Sequence, residues 1–213
     1  MIYALIPAAG KSTRMGGRTK LALPLGNRSV LEHVIDAVRR GGVEHVLVVV
    51  GPHVPELVPL AQAVGAETLL LPRETPDMRA TVEAGLRSLE GRFHPQPSDN
   101  WLLVPGDHPA LDADIIQQLV QARRECTDRS IIIPSFQGKR GHPTLIDWKH
   151  ASEIRRRPPD EGINTYLRGH AANTLEIPVD VQTILIDLDT PADYERLARN
   201  WEARRPVLGG DAL

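Results

Sequence analysis

A short segment near the start of the chain has residue types that hold a nucleotide phosphate. Residues 10–13 have the sequence G-K-S-T, which matches the end of the P-loop pattern G-x-x-x-x-G-K-[ST]. The first glycine of that pattern falls on Leu5, and Pro7 has no amide hydrogen to donate to a phosphate. We therefore expect a phosphate-binding loop of a different kind rather than a P-loop.

The same loop combines small residues with cationic side chains. Small residues at positions 8–10 let the backbone approach a flat ring or a phosphate closely. Arg14, Arg18 and Lys20 could neutralise a triphosphate. A solvated loop that only connects two elements is the alternative that composition alone leaves open.

A carboxylate that could bind a metal ion follows one of the apolar segments. Asp107 comes after the apolar run at residues 101–104, so its side chain should emerge at the carboxyl edge of a sheet. Mg²⁺ prefers such oxygen ligands together with phosphate and water. The alternative is that Asp107 caps the next helix, although Asp112 or Asp114 is better placed for that role.

A second pair of carboxylates lies near the last apolar segment. Asp187 and Asp189 are separated by one residue, so in an extended chain both side chains point to the same side. One of them could complete a metal site with Asp107. Equally, one could be buried against backbone amides while the other caps a helix that begins at Pro191.

Histidine and arginine side chains lie in two loops that should face the same cleft. His108 follows Asp107, and we expect it to orient its loop rather than to transfer a proton. His142 and the neighbouring Arg140 are candidates for contact with a second, anionic substrate. A solvated basic turn is the alternative for Arg140.

An α/β fold must position these residues, because short β-branched apolar runs alternate with amphipathic segments of helix length. Strands are predicted at residues 2–7, 45–50, 67–71, 101–104, 130–134 and 183–187. Helices are predicted at residues 29–40, 54–64, 79–89, 113–124, 148–156, 161–168 and 191–204. Residues 138–145 should form a hairpin or an irregular insertion. Ligands bind beyond the carboxyl ends of such strands, which selects the loops at 8–20, 73–81 and 106–109.

Length and composition limit the class of protein. The chain has 213 residues, of which 41% are hydrophobic and 24% charged, as is typical of a globular domain. We expect one domain over residues 1–204 and a flexible tail over residues 205–213. The net charge of −2 gives no basic field that would favour nucleic acid or a membrane surface as a partner. The single cysteine, Cys126, and the lack of a recognisable leader or membrane-spanning run favour a reducing, cytoplasmic location.

The segment L-I-P-A-A-G-K-S-T-R-M-G-G-R-T-K at residues 5–20 resembles the signature loop of a known enzyme family. The family comprises nucleotidyltransferases related to molybdenum cofactor cytidylyltransferase and guanylyltransferase, whose loop is usually A-A-G-x-S-x-R-M-G-x-x-K. This chain has one residue more than that pattern between Met15 and Lys20, with two glycines where one is typical. The resemblance implies nucleotide-binding roles for Ala8, Ala9, Gly10, Ser12, Thr13, Arg14, Gly17 and Lys20.

Later segments resemble further motifs of the same family. D-M-R-A-T at residues 77–81 is similar to a second nucleotide-binding loop, which implies base contacts for Met78 and Thr81. Arg79 is bulkier than the residue usual at its position, and we expect it to lie beside the base. Three other segments resemble the metal-binding, acceptor-binding and closing motifs, namely G-D-H-P at 106–109, R-G-H-P-T-L-I at 140–146 and D-L-D-T-P at 187–191.

The resemblance implies a single-domain Rossmann-like fold with a mostly parallel sheet and helices on both faces. It implies Mg²⁺-dependent transfer of a nucleoside monophosphate, with release of pyrophosphate, to the phosphate of a molybdopterin-type cofactor. Lys20, Arg14 and Asp107 are the implied catalytic residues, whereas Lys11 stands at a variable position and is expected to point to solvent. G-D-H-P favours CTP over GTP as the donor, and a molybdoenzyme or its chaperone is the implied protein partner.

Three other functions stay open at this point. The same fold could transfer a nucleotide to a sugar-phosphate or a polyol-phosphate. A non-catalytic nucleotide-binding or cofactor-delivery protein could keep the loop, although binding alone does not require both Lys20 and Asp107. A P-loop kinase is disfavoured by Leu5 and Pro7.

Overall fold

Strands and helices alternate along the chain, as the apolar pattern predicts. This computed structural model describes residues 1–158 and 160–203, which contain ten strands and seven helices. The strands are β1 (Ile2–Ala8), β2 (Pro24–Leu25), β3 (Arg28–Ser29), β4 (His45–Val50), β5 (Glu67–Leu70), β6 (Asn100–Leu103), β7 (Ile131–Phe136), β8 (Lys139–Arg140), β9 (Thr144–Asp147) and β10 (Thr174–Pro178). The helices are α1 (Val30–Arg40), α2 (Leu57–Ala63), α3 (Met78–Phe93), α4 (Ala113–Glu125), α5 (Lys149–Arg156), α6 (Ile163–Gly169) and α7 (Pro191–Ala203). The predicted tail at residues 205–213 lies outside the described residues and stays a prediction.

One central sheet contains most of the strands. Its order is β10-β7-β9-β6-β1-β4-β5, and β8 pairs antiparallel with the last two residues of β7. β1 pairs in parallel with β4 and β6, whereas β9 runs antiparallel between β6 and β7. The carboxyl ends of β1, β4, β5, β6 and β7 therefore meet at one edge. The mostly parallel α/β sheet predicted from the sequence is confirmed.

Each face of the sheet is covered by helices. Alternate residues of β1 point to opposite faces, with Ile6 on one side and Leu5 on the other. The Ile6 face packs against α1, α2, α4 and α7, and the Leu5 face packs against α3, α5 and α6. α1 begins with a capping box, in which the side chains of Ser29 and Glu32 each accept a hydrogen bond from the backbone amide of the other.

The prediction of a strand at residues 183–187 is wrong. The segment begins with a 3₁₀ turn, Gln182–Leu185, and pairs with no strand among the described residues. The amide of His142 donates to the carbonyl of Ile184 at 2.9 Å, so the turn lies against the loop before β9. Ile184 is fully buried. The apolar pattern of this segment therefore reflected burial rather than strand pairing.

Close packing of α3 on the sheet brings its first turn to the edge where the carboxyl ends of the parallel strands meet. A side-chain carbon at Gly85 would lie 2.4 Å from Leu5 and 2.8 Å from Val49, so only glycine allows this approach. Asp77 caps the helix by accepting a hydrogen bond from the amide of Ala80 at 2.8 Å.

Among the described residues, no helix combines the length and hydropathy needed to cross a bilayer.

Candidate active site

The loop after β1 turns at residues with left-handed backbone and is closed by a serine. Ser12, Gly16 and Gly17 have φ angles of 48°, 63° and 83°. Glycine adopts such angles without steric cost, so the Gly16-Gly17 pair accommodates the additional residue of this loop. The amide of Lys20 donates to Oγ of Ser12 at 3.3 Å. This closure fixes the position from which the Lys20 side chain extends.

Lys20 lies between two carboxylates that come from distant parts of the chain. Its Nζ is 2.5 Å from Oδ2 of Asp107 and 3.1 Å from Oδ1 of Asp189. The Lys20 and Asp107 side chains are 17% and 21% exposed. Asp107 follows β6, and Asp189 is held nearby because the amide of Leu188 donates to the carbonyl of Asp107 at 3.0 Å. Three residues that the sequence suggested separately therefore form one charged cluster.

Arg14 completes the cluster from the solvent side. Its Nη1 donates to Oδ2 of Asp189 at 2.8 Å, and its side chain is 72% exposed. The two oxygens of Asp189 thus contact two different cations, Lys20 and Arg14. An exposed, long side chain of this kind can leave its partner at little cost when a polyanion arrives.

The cluster holds Lys20 in its charged form. Burial lowers the pKa of the Lys20 ammonium, but the charge of Asp107 and the hydrogen bonds that Lys20 donates to Asp107 and Asp189 outweigh burial. The pKa of Lys20 therefore stands above its ordinary value. A permanent positive charge is what a bound phosphate chain requires at this position.

Asp107 and Asp189 have the chemistry of a divalent metal site. Their oxygens converge on one cationic point, the Lys20 ammonium, and carboxylate oxygens are the protein ligands that Mg²⁺ and Mn²⁺ take. Asp107 and Asp189 retain 21% and 41% side-chain exposure, so water could complete a coordination shell. The donor set fits the metal that the resemblance implies.

A cleft of about 360 Å³ opens beside this cluster. Lys20 and Asp107 form part of its wall, and most of the remaining wall comes from the loops after β1 and β5. Five more of the residues that were predicted to bind nucleotide line this cleft, namely Ala9, Gly10, Ser12, Met78 and Thr81. Its volume and its position at the carboxyl edge are those of a small-molecule site.

The other residues predicted to bind nucleotide lie outside the cleft wall. Ala8 is 2% exposed and packs in the core beneath the loop. Thr13 and Gly17 are exposed on the outer part of the loop. Their predicted roles in nucleotide binding stay predictions.

Lys11 stands at a variable position and was expected to point to solvent. In the structure it also forms an ion pair. Its Nζ is 2.7 Å from Oε2 of Glu74, and the two side chains are 58% and 49% exposed. His53 Nδ1 lies 3.7 Å from the other oxygen of Glu74. The interaction joins the loops after β1, β4 and β5 along one wall of the cleft.

Glu74 and His53 line the cleft but were not singled out from the sequence. Glu74 falls within the loop at 73–81 that strand order had selected, so its position was predicted although its pairing was not. His53 follows the carboxyl end of β4, and the same strand-end rule could have found it. Thr75 also lines the cleft, and its Oγ1 is 2.6 Å from Oγ1 of Thr81.

The two carboxylates of the closing motif are separated by the fold. Asp189 enters the charged cluster, whereas the Asp187 side chain is exposed and forms no ion pair or hydrogen bond within the described part of the chain. The chain is not a regular strand here, so the same-side expectation for residues i and i+2 does not apply. Asp189 is the better candidate for the second metal ligand.

The buried His108 and the half-buried His142 form a pair beside Asp107. Their rings are perpendicular with centroids 5.3 Å apart, and Nε2 of His108 is 3.9 Å from Oδ1 of Asp107. Burial lowers the pKa of both imidazoles, and with the nearby His108 it brings the pKa of His142 to about 4. Nδ1 of each ring is buried without a hydrogen-bond partner among the described residues. Both rings are therefore neutral groups that could bind a polar ligand atom.

Arg140, the other residue predicted to contact an acceptor, lies on the short strand β8. Its Nε and Nη2 both contact Oε1 of Glu176 on β10 at 2.8 Å. The structure thus places Arg140 in an ion pair outside the cleft wall. Contact with an acceptor would require release of this pair, and the role of Arg140 stays a prediction.

Arg79 is not beside the base, contrary to the expectation from its position in the second loop. Its side chain is 8% exposed and turns away from the cleft. The guanidinium donates to Glu83 and to four backbone carbonyls, those of Ile154, Arg157, Pro158 and Glu161. Arg79 therefore ties α3 to the end of α5 and to the loop before α6.

Comparison with curated proteins finds relatives at about 30% identity. The bifunctional protein GlmU of Mycolicibacterium gilvum is 30% identical over 149 residues, which cover 67% of this chain and 29% of GlmU. A molybdenum cofactor guanylyltransferase of Mesorhizobium japonicum is 32% identical over 155 residues, covering 69% of this chain and 66% of that protein. The chain thus spans less than a third of the length of GlmU.

A solved structure shares the fold. The crystal structure of Rv0371c from Mycobacterium tuberculosis in complex with manganese superposes with a TM-score of 0.72 at 21% identity, covering 93% of this chain and 97% of that one. The model of the MobA-like NTP transferase domain matches residues 4–174, which include the signature loop, Lys20 and Asp107. This chain belongs to the family of proteins with a MobA-like NTP transferase domain.

Proposed function

We propose that this chain is a metal-dependent nucleotidyltransferase that transfers a nucleoside monophosphate to the phosphate of a molybdopterin-type cofactor and releases pyrophosphate. The family supports nucleotidyl transfer, and the donor and acceptor are our proposal. One observation carries it: the half-buried ammonium of Lys20 lies between the carboxylates of Asp107 and Asp189 beside a cleft of nucleotide-binding size.

Asp107 and Asp189 are the residues that would hold a divalent ion, which we propose is Mg²⁺. Such an ion, when bound, would neutralise phosphate charge and align the triphosphate. The manganese complex of Rv0371c supports a divalent ion in this fold. Lys20 could then contact phosphate oxygens, because a divalent ion would take over much of the neutralisation of the Asp107 and Asp189 carboxylates.

The transfer step needs charge and alignment more than acid–base chemistry. A phosphate oxygen of the acceptor attacks the α-phosphorus of the donor, a new P–O bond forms, and the bond to pyrophosphate breaks. Both reactants are polyanions that repel each other at contact distance. Lys20 and Arg14 supply the positive charge that offsets this repulsion. The acceptor phosphate is already ionised, so no dedicated general base is required.

We propose that different loops around the cleft hold different parts of the donor. Ala9, Gly10 and Ser12 present backbone and small side chains that a triphosphate could approach closely. Met78 and Thr81 line the other side, where a base could pack on the thioether and meet the Thr81 hydroxyl. The G-D-H-P sequence favours CTP, and the guanylyltransferase relative makes GTP the alternative donor.

The acceptor would approach from the side of His108 and His142. The buried, unpartnered Nδ1 atoms of these neutral rings suit a polar, uncharged part of an acceptor rather than its phosphate. The name of the guanylyltransferase relative supports a molybdopterin-type acceptor. A molybdoenzyme or its chaperone is the partner that we propose receives the product. A sugar-phosphate or polyol-phosphate acceptor is the alternative within the same fold.

Pyrophosphate release with each of CTP, GTP, ATP and UTP tests this proposal. We expect release only when a divalent ion and molybdenum cofactor are both present, with CTP the best donor. Release that requires a sugar-phosphate instead would keep the transferase and exclude the acceptor. Nucleotide binding without release, under every acceptor offered, would favour the non-catalytic delivery protein.

A further inference from the structure

A cluster of two histidines and a glutamate lies at the sheet edge opposite the candidate active site. His150 and Glu153 are on α5, and His170 immediately follows α6. Ser130, which contacts His150, precedes the first residue of β7, whereas the active site lies beyond the carboxyl ends of the parallel strands. The proposed transfer reaction uses none of these side chains.

We propose that His150, Glu153 and His170 bind a divalent transition-metal ion of the zinc class. Oε2 of Glu153 lies 3.8 Å from Nδ1 of His150 and 3.6 Å from Nε2 of His170, and all three atoms lie within 4.8 Å of one another. Nitrogen and oxygen ligands about 2.0–2.1 Å from a tetrahedral Zn²⁺ ion are roughly 3.3 Å apart. The two distances from Glu153 Oε2 to the histidine nitrogens are thus within about half an ångström of this ligand–ligand distance.

Hydrogen bonds on the outer side of both rings favour metal binding on the inner side. Nδ1 of His170 is 2.8 Å from the carbonyl of Tyr166, so this nitrogen carries the proton and Nε2 presents its lone pair to Glu153. Nε2 of His150 is 2.8 Å from Oγ of Ser130, which can accept a hydrogen bond from Nε2–H in the tautomer that leaves the Nδ1 lone pair free for a metal ion. Without an ion, the Tyr166 hydroxyl donates to Glu153, so Nδ1 of His150 carries the proton and donates to Tyr166. An outer hydrogen bond of this kind orients most metal-binding histidines.

The Tyr166 hydroxyl is the group with which a metal ion would compete. It lies 2.5 Å from Nδ1 of His150 and donates to Oε2 of Glu153 at 2.7 Å, so it links two of the three ligands when no ion is bound. Binding would replace this link. The site is therefore expected to bind less tightly than a site of four preformed ligands.

The cluster is open to solvent on one side. The Glu153 and His170 side chains are 44% and 22% exposed, whereas His150 is 3% exposed. An ion can enter beside Glu153, and water can fill a fourth position. Because His150 and Glu153 belong to α5 and His170 follows α6, bound metal would join the two helices.

The test is a Zn²⁺ titration of the full chain after treatment with a chelator. Competition with a chromophoric chelator gives the affinity, and excess Mg²⁺ keeps the Asp107 and Asp189 carboxylates from taking up Zn²⁺. Parallel titration with Co²⁺ gives visible absorption bands that report the coordination number. His170→Ala and Glu153→Gln remove single ligands at partly exposed positions.

The matched control is His94→Asn. His94 is an exposed histidine that ends α3 with a φ angle of 48°, and asparagine adopts that backbone region readily. Asp107→Asn is a second control, because it removes a carboxylate of the cleft and leaves the histidine cluster intact. Both controls should keep the Zn²⁺ affinity of the wild-type chain.

We expect one equivalent of Zn²⁺ to bind and to raise the unfolding temperature of the wild-type chain. Ser130→Ala should weaken binding about 10–100-fold, as loss of an outer hydrogen bond does, and His170→Ala should weaken it by more than about 100-fold. Equal binding by His170→Ala and His94→Asn would overturn the proposal. So would a wild-type chain that takes up no Zn²⁺ in the presence of Mg²⁺.

Discussion

The ammonium of Lys20 lies 2.5 Å from a carboxylate oxygen of Asp107, although 87 residues separate them in the chain. Lys20 follows the first loop of the sheet and Asp107 follows β6, so their contact closes the space between the loops after two neighbouring parallel strands. When a metal-bound triphosphate is present, the ammonium could contact phosphate oxygens and the carboxylate could bind the metal ion. The pair therefore marks the place where phosphate is expected to bind.

Asp107→Asn should leave the fold intact and remove metal-dependent turnover. An amide keeps the size of the side chain but not the charge that binds a divalent ion. Mn²⁺ affinity, measured by electron paramagnetic resonance, should fall together with pyrophosphate release. Asp114→Asn is the control, because Asp114 is exposed in the first turn of α4. Turnover at the wild-type rate by Asp107→Asn at ordinary Mg²⁺ would remove this residue from the metal site.

The two aspartates of the closing motif should differ in their effect on metal binding. Asp189→Asn removes a partner of both Lys20 and Arg14 and is expected to weaken Mn²⁺ binding and turnover. Asp187→Asn changes an exposed side chain outside the cluster and should leave both unchanged. The same two measurements on this matched pair decide the point. Equal losses of Mn²⁺ affinity and turnover in the two variants would contradict the assignment of Asp189, rather than Asp187, as the second metal ligand.

Arg79→Ala should destabilise the protein without changing its choice of nucleotide. The variant leaves backbone carbonyls at the end of α5 without their charged donor, and each hydrogen bond to a charged group contributes about 1.5–3 kcal/mol. Urea unfolding should therefore show a loss of at least about 1.5 kcal/mol. Arg87→Ala is the control on the same helix, because its pairing with Glu83 is solvent-exposed on the arginine side and should contribute about 0.3–0.5 kcal/mol. A changed ratio of CTP to GTP use in Arg79→Ala would instead place this residue in nucleotide selection.

Stability should fall as the pH is lowered from about 6.5 towards 4, in part because of His142. Burial and the nearby His108 lower the pKa of His142 in the folded chain to about 4, below the ordinary value of 6.5. The unfolded chain then binds more protons across this interval, so unfolding becomes easier as the pH falls. His142→Asn should show a shallower dependence of the free energy of unfolding on pH over this range. His94→Asn, at an exposed histidine, should follow the wild-type dependence, and a His142→Asn curve with the same slope would contradict the assignment.

The position of the site could be predicted from the sequence because parallel strands bring their carboxyl ends to one edge. Ser12 and Asp107 lie in loops that directly follow β1 and β6, and Lys20 lies at the end of the first of these loops. Thr81 lies in the first turn of the helix that follows β5. Short apolar runs in the sequence had indicated all three strands. That rule needs no knowledge of side-chain contacts. It was sufficient to bring these residues to a single cleft.

Pairings between side chains could not be predicted in the same way. Lys11 contacts Glu74 and Arg79 contacts carbonyls near α6, and both contacts depend on how separate loops fold against one another. The apolar run at residues 183–187 was interpreted as a strand because Ile184 is buried, and burial in a turn gives the same local pattern. β10 was missed because its five residues are only partly buried or exposed at the edge of the sheet.

The direct test of the central claim compares two lysines of the same loop. Lys20→Ala removes a half-buried, doubly paired ammonium and should lower steady-state pyrophosphate release by about 10²–10³, as loss of a preorganised charge in a transition state does. Lys11→Ala removes an exposed partner of Glu74, and an exposed pair contributes about 1 kcal/mol or less, so its rate should fall by less than about tenfold. An inactive Lys11→Ala beside an active Lys20→Ala would contradict the account, because it is the result that a P-loop requires.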